Sequence, residues 1–587
     1  MTAPVTPLPP AAVPPSATSI WRRAWRAPLW AHTVVLAVVL LLGLAVIGPR
    51  VAFSSDEGVA VLQARMLRDG DGWLYRYPLA SIDREGRARP FVHGDVGTKG
   101  VAPYAKHPLY PLLLAGLDAV GGVTAMLVAG ILGTVVAALM AALLARRLDP
   151  RFDRLTLWLV GVGSPLFFDA YVVLAHTLAA AAASAAALAI AVVLQRGTRR
   201  ATRVGCLVGA MAGLAVATWL RTEAVFLGPA LAVGLAVGAL LGRVPWRRAL
   251  VVGAGAVAAC AAAYWVDHVA SGHILGSALP AAPDASRVGG LAGRWDAFHT
   301  TVLLPSYLGP ARADLALELG AIAVFLGAVA LHWRGQRRHF VVGTLAVAAV
   351  AYVAHLFLGP GGPVPGLVLA FPAGWFLVWV AGKRAVEGAV APVLVAASAA
   401  VFVAVLATEY SIGGGVEWGG RYFSVLIPLI VPVLVVAAAP VVRRHGRDLQ
   451  RVVVTLMAVV TIASSAIALQ GLRHWHEDTA LVLDRIAAQA QVAGRSGGLA
   501  RPVVLTSNRL LPQIDYRDFG DYDWVAVEPD DVTTYAQRLA GLGVTRIVLA
   551  STDQAADLRR LPGWRVVRPS AGGSSVDVAV LERTGSA

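Results

Sequence analysis

Residues 28–47 read PLWAHTVVLAVVLLLGLAVI, an apolar run with no charged side chain. The run is longer than the hydrophobic part of a signal peptide, and no convincing small-residue cleavage site follows it. Since about 20 apolar residues in a helix cross the hydrocarbon core of a bilayer, we interpret it as an uncleaved first membrane span. The proline-rich start of the chain cannot build a core. Residues 1–27 are therefore predicted to be disordered and cytoplasmic.

Similar apolar runs recur along the rest of the chain. With the first they number about thirteen, and no internal repeat is evident. A shorter apolar segment, 108–120, is predicted to be half inserted. The later predicted spans are 122–145, 154–170, 175–195, 203–220, 224–242, 249–266, 314–332, 340–358, 367–382, 388–407, 422–441 and 452–471.

The composition agrees with a chain of many spans. Of 587 residues, 57% are hydrophobic and only 14% are charged, whereas soluble proteins carry about 25% charged residues. Both cysteines, Cys206 and Cys260, lie in apolar stretches. A disulfide scaffold and a cysteine-type zinc site are therefore excluded.

The positive charge of the chain is distributed by side of the membrane. If loops are numbered alternately from a cytoplasmic N-terminus, the inner loops hold 23 basic residues and four acidic ones. The net charge of the whole chain is +15, so the outer regions are slightly acidic. This is the positive-inside pattern of membrane proteins. It predicts a multi-pass protein whose spans are surrounded by the lipid of the cell membrane, with the C-terminus outside. It gives no support to nucleic-acid binding.

The outer regions include a long first loop, 48–107, and a C-terminal tail, 472–587. Short β-type runs at 503–506, 525–527, 546–549 and 576–581, with a helical stretch at 531–542, predict a small α/β domain in the tail. The fold class predicted is thus a polytopic α-helical membrane protein, with a membrane module at 28–471 and an extracytoplasmic C-terminal α/β domain.

Charged residues at the outer membrane boundary are costly and often mark a pathway or a site. Asp56 and Glu57 begin a helix-like segment soon after the first span. They could be first-turn acids favoured by the helix dipole, or a carboxylate that acts as general base. Lys106 precedes another apolar segment, where it could extend toward water or contact a lipid-linked phosphate.

Two arginines, Arg221 and Arg421, each stand alone in a short outer turn. Their planar guanidinium groups suit a phosphate, although Arg221 could simply pair with Glu223. His176 opens an alanine-rich helix and could be a histidine bonded within the bundle. Further candidates for substrate contact are His107, Tyr110, Asp169, His176, Glu223, Glu417 and Tyr422.

Several motifs occur in a recognisable order on the predicted outer side. They are DEG at 56–58, DGDGW at 69–73, YAKHPLYP at 104–111, SPLFF at 164–168 with the later His176, RTE at 221–223 and GRYF at 420–423. Over about residues 28–441 the chain resembles the GT-C superfamily of integral-membrane glycosyltransferases, which use polyprenyl-phosphate sugars. The pattern is nearest to the branch with protein O-mannosyltransferases and lipid A aminoarabinose transferases. His107 departs from it, and no β-trefoil-like insertion is visible.

The resemblance implies a role for individual residues. Asp56 matches the catalytic base, and Glu57 matches a second acid that orients the acceptor or tunes Asp56. Lys106, Arg221 and Arg421 match positions that hold the donor phosphate. The donor would be a polyprenyl-phosphate sugar, and the acceptor a lipid, polysaccharide or protein of an actinobacterial-type envelope, with mannose or arabinose as the sugar. No cofactor is required by the residue spacing, although a divalent metal is compatible with it.

Two other functions remain open on the sequence. A transporter or flippase also has many spans and buried charges, but it favours inverted repeats and sites at the bilayer midplane. A non-enzymatic envelope assembly subunit would use the membrane module to present its tail. Neither alternative explains why Asp56, Lys106, Arg221 and Arg421 all fall on one side of the membrane.

Overall fold

The computed structural model describes residues 25–48, 50–91, 100–195, 197–275, 293–295, 298, 301–302, 366–381, 388–408, 419–444, 447–552, 561–569 and 576–585. The helices are α1 (Leu29–Ile47), α2 (Ser55–Asp69), α3 (Leu109–Leu148), α4 (Asp153–Gly161), α5 (Leu166–Asp169), α6 (His176–Leu194), α7 (Arg200–Leu220), α8 (Leu227–Leu240), α9 (Trp246–Leu275), α10 (Leu367–Ala370), α11 (Pro372–Ala381), α12 (Val390–Thr408), α13 (Ile427–Arg444), α14 (Arg447–Ala493), α15 (Leu511–Ile514) and α16 (Val532–Gly541). The strands are β1 (Val503–Thr506), β2 (Asp523–Ala526), β3 (Arg546–Ser551), β4 (Trp564–Pro569) and β5 (Asp577–Arg583).

Seven segments in the described part are long and apolar enough to cross a membrane: α1, α3, α6, α7, Thr222–Leu240, α9 and α12. In α1, Leu36 and Leu40 are fully buried while Val38 and Leu42 are exposed. One face of the helix therefore packs on the bundle, and the other is free for lipid. The chain is a multi-pass helical membrane protein, as predicted, although the predicted spans at 314–332 and 340–358 lie outside the described residues.

Several helices differ from the predicted spans, and the span predicted at 367–382 is divided into α10 and α11. The span predicted at 154–170 is two short helices, because the backbone leaves the helix before Pro165, which lacks an N–H and restricts the residue before it. The segment predicted as half inserted is the first part of α3, which bends at Gly121 and Gly122. Helix α14 continues to Ala493, well beyond the predicted end at 471. It ends at Gly494, where φ is +64°.

The C-terminal α/β domain is built on one five-stranded sheet, in the order β2-β1-β3-β5-β4. Strand β1 is parallel to both β2 and β3, whereas β5 is antiparallel to β3 and β4. Four of these strands and helix α16 agree with the sequence prediction. Strand β4 was not predicted, because its side chains are mostly exposed and two of them are arginines.

The first outer loop completes the core of this domain. Tyr77, Leu79, Ile82 and Ala88 are buried in one apolar cluster with residues of β1, β2 and β3. The Tyr77 hydroxyl donates to the Trp524 carbonyl oxygen at 3.0 Å. We call this contact between loop residues 77–88 and the C-terminal domain the seam.

The C-terminal domain also contacts helix α2. A Cβ atom at Gly58 would lie 2.0 Å from the carbonyl oxygen of Gln513, so only glycine allows this approach. The Arg65 side chain donates to the carbonyl oxygen of Tyr516 and lies 5.2 Å from the centroid of its ring. Helix α2 is therefore held between the membrane bundle and the C-terminal domain.

Candidate functional site

Asp56 lies in the first turn of α2, where the Ser54 hydroxyl accepts a hydrogen bond from the Glu57 N–H. Its Oδ2 atom is 2.7 Å from Nζ of Lys106 and 3.1 Å from a terminal guanidinium nitrogen of Arg421. These three residues come from the start of α2, the end of the first outer loop and the turn before α13. We call them the charged cluster. Its side chains are 23%, 41% and 8% exposed for Asp56, Lys106 and Arg421 respectively, so the cluster is open on the lysine side.

The electrostatics of the cluster favour its charged form. Burial acts to raise the pKa of Asp56, but the positive charges of Lys106 and Arg421 outweigh it and hold that pKa well below its usual value. Burial lowers the pKa of Lys106, and the Asp56 carboxylate opposes this effect only in part. With both cations in contact, Asp56 is consequently a very weak base.

Glu57 has a different environment although it is the next residue. Its side chain carboxylate accepts backbone N–H groups from Phe53 at 2.6 Å and from Val173 at 2.7 Å. The residue is 3% exposed, and burial raises its pKa to about 7. Both carboxylate oxygens are thus occupied by backbone, and Glu57 fastens the start of α2 to the turn before α6.

Arg221 and Arg421 both contact the Tyr422 ring, so Arg221 lies beside the charged cluster. The carbon atoms at the centres of the Arg221 and Arg421 guanidinium groups lie 5.9 Å and 5.4 Å from the centroid of the Tyr422 ring. Arg221 also pairs with Glu223 at 2.7 Å. The simple ion pair considered from the sequence therefore exists, and it coexists with a position beside the cluster.

His107 is buried and uses both ring nitrogens. Its Nδ1 atom is 2.8 Å from the Asp267 carboxylate in the C-terminal part of α9, and its Nε2 atom is 2.8 Å from the Thr222 hydroxyl. Neither partner was predicted as a site residue. The signal for Asp267 was available, because it is a carboxylate near the end of a long apolar helix.

The other predicted substrate-contact residues are buried around the cluster. The Asp169 carboxylate accepts from the Ser424 hydroxyl at 2.9 Å, three residues after Arg421. Tyr110 is 2% exposed, and its ring centroid is 6.1 Å from that of Tyr104. His176 is fully buried, and neither of its ring nitrogens has a hydrogen-bond partner in the described part of the chain. Glu417 lies outside the described residues.

Two glycines bring Arg421 into position. Gly419 and Gly420 have φ values of +79° and +67°, a region that favours glycine. A Cβ atom at Gly420 would also lie 2.7 Å from the carbonyl oxygen of Thr301. Glycine at these two positions therefore allows the backbone to take the turn that places Arg421 in the cluster.

The donor set around Asp56 does not fit a divalent metal. Divalent cations in proteins need several oxygen or nitrogen ligands. Asp56 already contacts two cationic side chains, and the Glu57 oxygens accept backbone N–H groups. Across the described ranges, no group of three or more His, Cys, Asp or Glu side chains could hold a metal ion.

No protein-family model and no curated protein sequence matches the chain. Among solved structures, it is similar to ArnT from Cupriavidus metallidurans in the apo state, with 14% identity and a TM-score of 0.45, covering 96% of this chain and 98% of that one. ArnT bound to undecaprenyl phosphate matches with 16% identity, 97% and 99% coverage and a TM-score of 0.45. The Archaeoglobus fulgidus oligosaccharyltransferase with zinc and sulfate matches with 12% identity, 91% and 70% coverage and a TM-score of 0.49.

Proposed function

We propose that this protein transfers a sugar from a polyprenyl-phosphate donor to a cell-envelope acceptor at the outer face of the membrane. Asp56 is the general base, and transfer inverts the configuration at the anomeric carbon. Lys106, Arg421 and Arg221 bind the donor phosphate. Glu57 acts by positioning Asp56, because both of its carboxylate oxygens are bonded to backbone.

The pairing of Asp56 with Lys106 and Arg421 carries this proposal. A carboxylate and two cations from three distant segments meet at one point, which is the set of charges that base-assisted phosphate departure needs. Replacing a largely buried ion pair by apolar residues is often neutral or stabilising, so such a pair is weak evidence for a role in folding. A gathering of charge at the membrane boundary is therefore better explained by chemistry than by folding.

Donor binding would change the basicity of Asp56. A phosphate monoester carries up to about two negative charges, so it attracts Lys106 and Arg421 more strongly than a single carboxylate does. As these cations move onto the phosphate, the pKa of Asp56 rises toward its usual range. Asp56 is then an effective base only when the donor is in place, and the donor binds before the acceptor reacts.

The transfer step follows from this arrangement. The acceptor hydroxyl gives its proton to Asp56 while its oxygen forms a bond to the anomeric carbon. The bond between that carbon and the phosphate oxygen breaks on the opposite face, and the electron pair leaves with the phosphate. Lys106, Arg421 and Arg221 stabilise the charge that develops there, and such stabilisation is strong where water is partly excluded.

The test is the Asp56→Asn variant, assayed with radiolabelled polyprenyl-phosphate sugars. We expect the transfer rate to fall roughly thousandfold, within the range for loss of a general base, with an unchanged unfolding temperature. Asp69→Asn is the matched control, because it makes the same change at an exposed position of the same helix. Near-normal turnover by folded Asp56→Asn would remove Asp56 from this role.

The remaining parts of the proposal are tested in the same system. Mass spectrometry of envelope glycans from a deletion strain identifies the missing sugar and its acceptor. Parallel assays with EDTA and with added divalent ions measure the metal requirement. Movement of labelled lipid across proteoliposomes without any product would replace the enzyme by a flippase.

A further inference from the structure

The His107 side chain joins three elements at the edge of the proposed donor site. His107 belongs to the end of the first outer loop, Thr222 to the turn after α7, and Asp267 to the C-terminal part of α9. Both contacts of the imidazole are 2.8 Å. The Asp267 carboxylate accepts the Nδ1 proton, and Nε2 shares a hydrogen bond with the Thr222 hydroxyl whose direction depends on the tautomer of the ring.

This chain of contacts runs between two cation-bearing positions. His107 directly follows Lys106, and Thr222 directly follows Arg221. Lys106 and Arg221 lie on separate segments of the chain, yet both must face one phosphate if they bind it together. A bond between the residues that follow them restricts how far the two segments can move apart.

The contact between His107 and Asp267 joins two buried polar side chains. His107 and Asp267 are each 4% exposed, and a buried carboxylate is costly unless it is bonded. An apolar residue at position 107 would leave Asp267 without this partner. The histidine and the aspartate therefore form a unit, and Asp267 fixes the ring orientation much as second ligands orient metal-bound histidines.

We propose that Asp267, His107 and Thr222 form a positioning relay that sets the spacing of Lys106 and Arg221 for a single lipid phosphate. This inference rests on the proposed function and adds residues that act through the two cations. The ligand class is a polyprenyl monophosphate. Without the relay, the two segments move independently and the phosphate is bound by fewer cations at a time.

Thr222 is the residue to change, because it is exposed and its loss leaves the His107–Asp267 pair intact. The experiment measures binding of undecaprenyl phosphate and of undecaprenol, which lacks the phosphate, to the full-length protein in detergent. The variants are Thr222→Val, Thr222→Ser and Thr218→Val. Thr218 is the control, because its hydroxyl donates to the Leu214 carbonyl oxygen of its own helix and also bonds to the Cys260 thiol, and neither partner belongs to the relay.

We expect Thr222→Val to bind undecaprenyl phosphate about tenfold more weakly, the scale of one lost hydrogen bond to a charged site, with undecaprenol binding unchanged. Thr222→Ser and Thr218→Val should bind both lipids as the unchanged protein does. Equal weakening of both lipids by Thr222→Val would indicate general disruption and overturn the relay. Unchanged phosphate binding in Thr222→Val would overturn the relay while the proposed function stands. If the unchanged protein does not prefer the phosphate lipid, the donor site and the relay both fail.

Discussion

The charged cluster and the seam both involve the first outer loop, but they are built from different interactions. In the cluster, Asp56 and Lys106 meet at 2.7 Å while their side chains stay 23% and 41% exposed. In the seam, Leu79 is 1% exposed and is surrounded by the apolar core of the C-terminal domain. Ionic partners that face solvent can be exchanged for a ligand, whereas a dry apolar contact cannot.

The ends and the middle of this one loop are therefore held by different kinds of contact. The two ends of the loop carry Asp56 and Lys106, which change partners in the reaction proposed above. The middle is fixed by apolar burial and by the hydrogen bond of Tyr77 to Trp524. Close to the cluster, Tyr75 and Val101 also exchange backbone hydrogen bonds at 2.8 Å and 2.9 Å, which closes the base of the loop. The contacts in the middle of the loop thus limit how far Asp56 and Lys106 can move apart.

The sharpest test of this division is Lys106→Gln in the charged cluster. We expect the catalytic efficiency, kcat/KM for the lipid donor, to fall roughly thousandfold, because one preorganised charge at the leaving group is lost. The unfolding temperature should hardly change, since a half-exposed ion pair contributes little. Arg50→Gln is the control, because it removes an exposed positive charge from the same loop. A large loss of stability in Lys106→Gln would contradict the comparison.

Leu79→Ala should have the opposite profile in the seam. Truncation of a buried leucine leaves a cavity and costs about 3 kcal/mol, which denaturant unfolding of the purified protein measures. Residual activity per folded molecule should stay near that of the unchanged protein. Leu481→Ala provides the control, since Leu481 is 42% exposed and its truncation should have little effect. The comparison breaks if Leu79→Ala leaves stability unchanged.

A smaller effect is expected from pH. Burial raises the pKa of both Glu57 and Asp515 to about 7, above the values of an unfolded chain. These two groups therefore hold more protons in the folded state than in the unfolded state between about pH 4.5 and 7, so the stability that they contribute is complete below this range and is lost as pH rises through it. From pH 5.5 to pH 8 we expect the unfolding temperature to fall by roughly a few degrees.

The contribution of Glu57 can be separated from that of Asp515. Glu57→Gln removes one of the two titrating groups, so its unfolding temperature should fall less over the same pH range. Glu528→Gln, at an exposed position, should follow the unchanged protein. If Glu57→Gln and the unchanged protein give parallel curves, the titration of Glu57 does not contribute to stability.

Much of the candidate site could be predicted from the sequence, because charged residues are rare at the ends of membrane spans on the predicted outer side. Asp56, Lys106, Arg221 and Arg421 were identified as charges that a lipid environment disfavours. In the structure three of them are in direct contact, and Arg221 lies at the Tyr422 ring. Spacing along the chain could not show this meeting, since Asp56 and Arg421 are 365 positions apart.

The missed features depend on tertiary contacts. Thr222 is an ordinary turn residue until His107 is placed beside it, and their separation of 115 positions hides that contact. The role of Glu57 was also obscured, because its partners are backbone N–H groups that no sequence pattern marks. Helix α14 is longer than predicted. The predicted end at residue 471 is where hydropathy falls, but no residue after it stops a helix before Gly494.

The seam has a consequence for the timing of synthesis. Tyr77 and Trp524 are 447 positions apart, and at about 5–20 residues per second the ribosome needs roughly 20–90 s to join them. During that interval Tyr77, Leu79 and Ile82 have no partner strands to cover them, while the later spans are being inserted. A chain cut short before residue 503 would leave this early loop permanently without its partner strands, and so open to proteases.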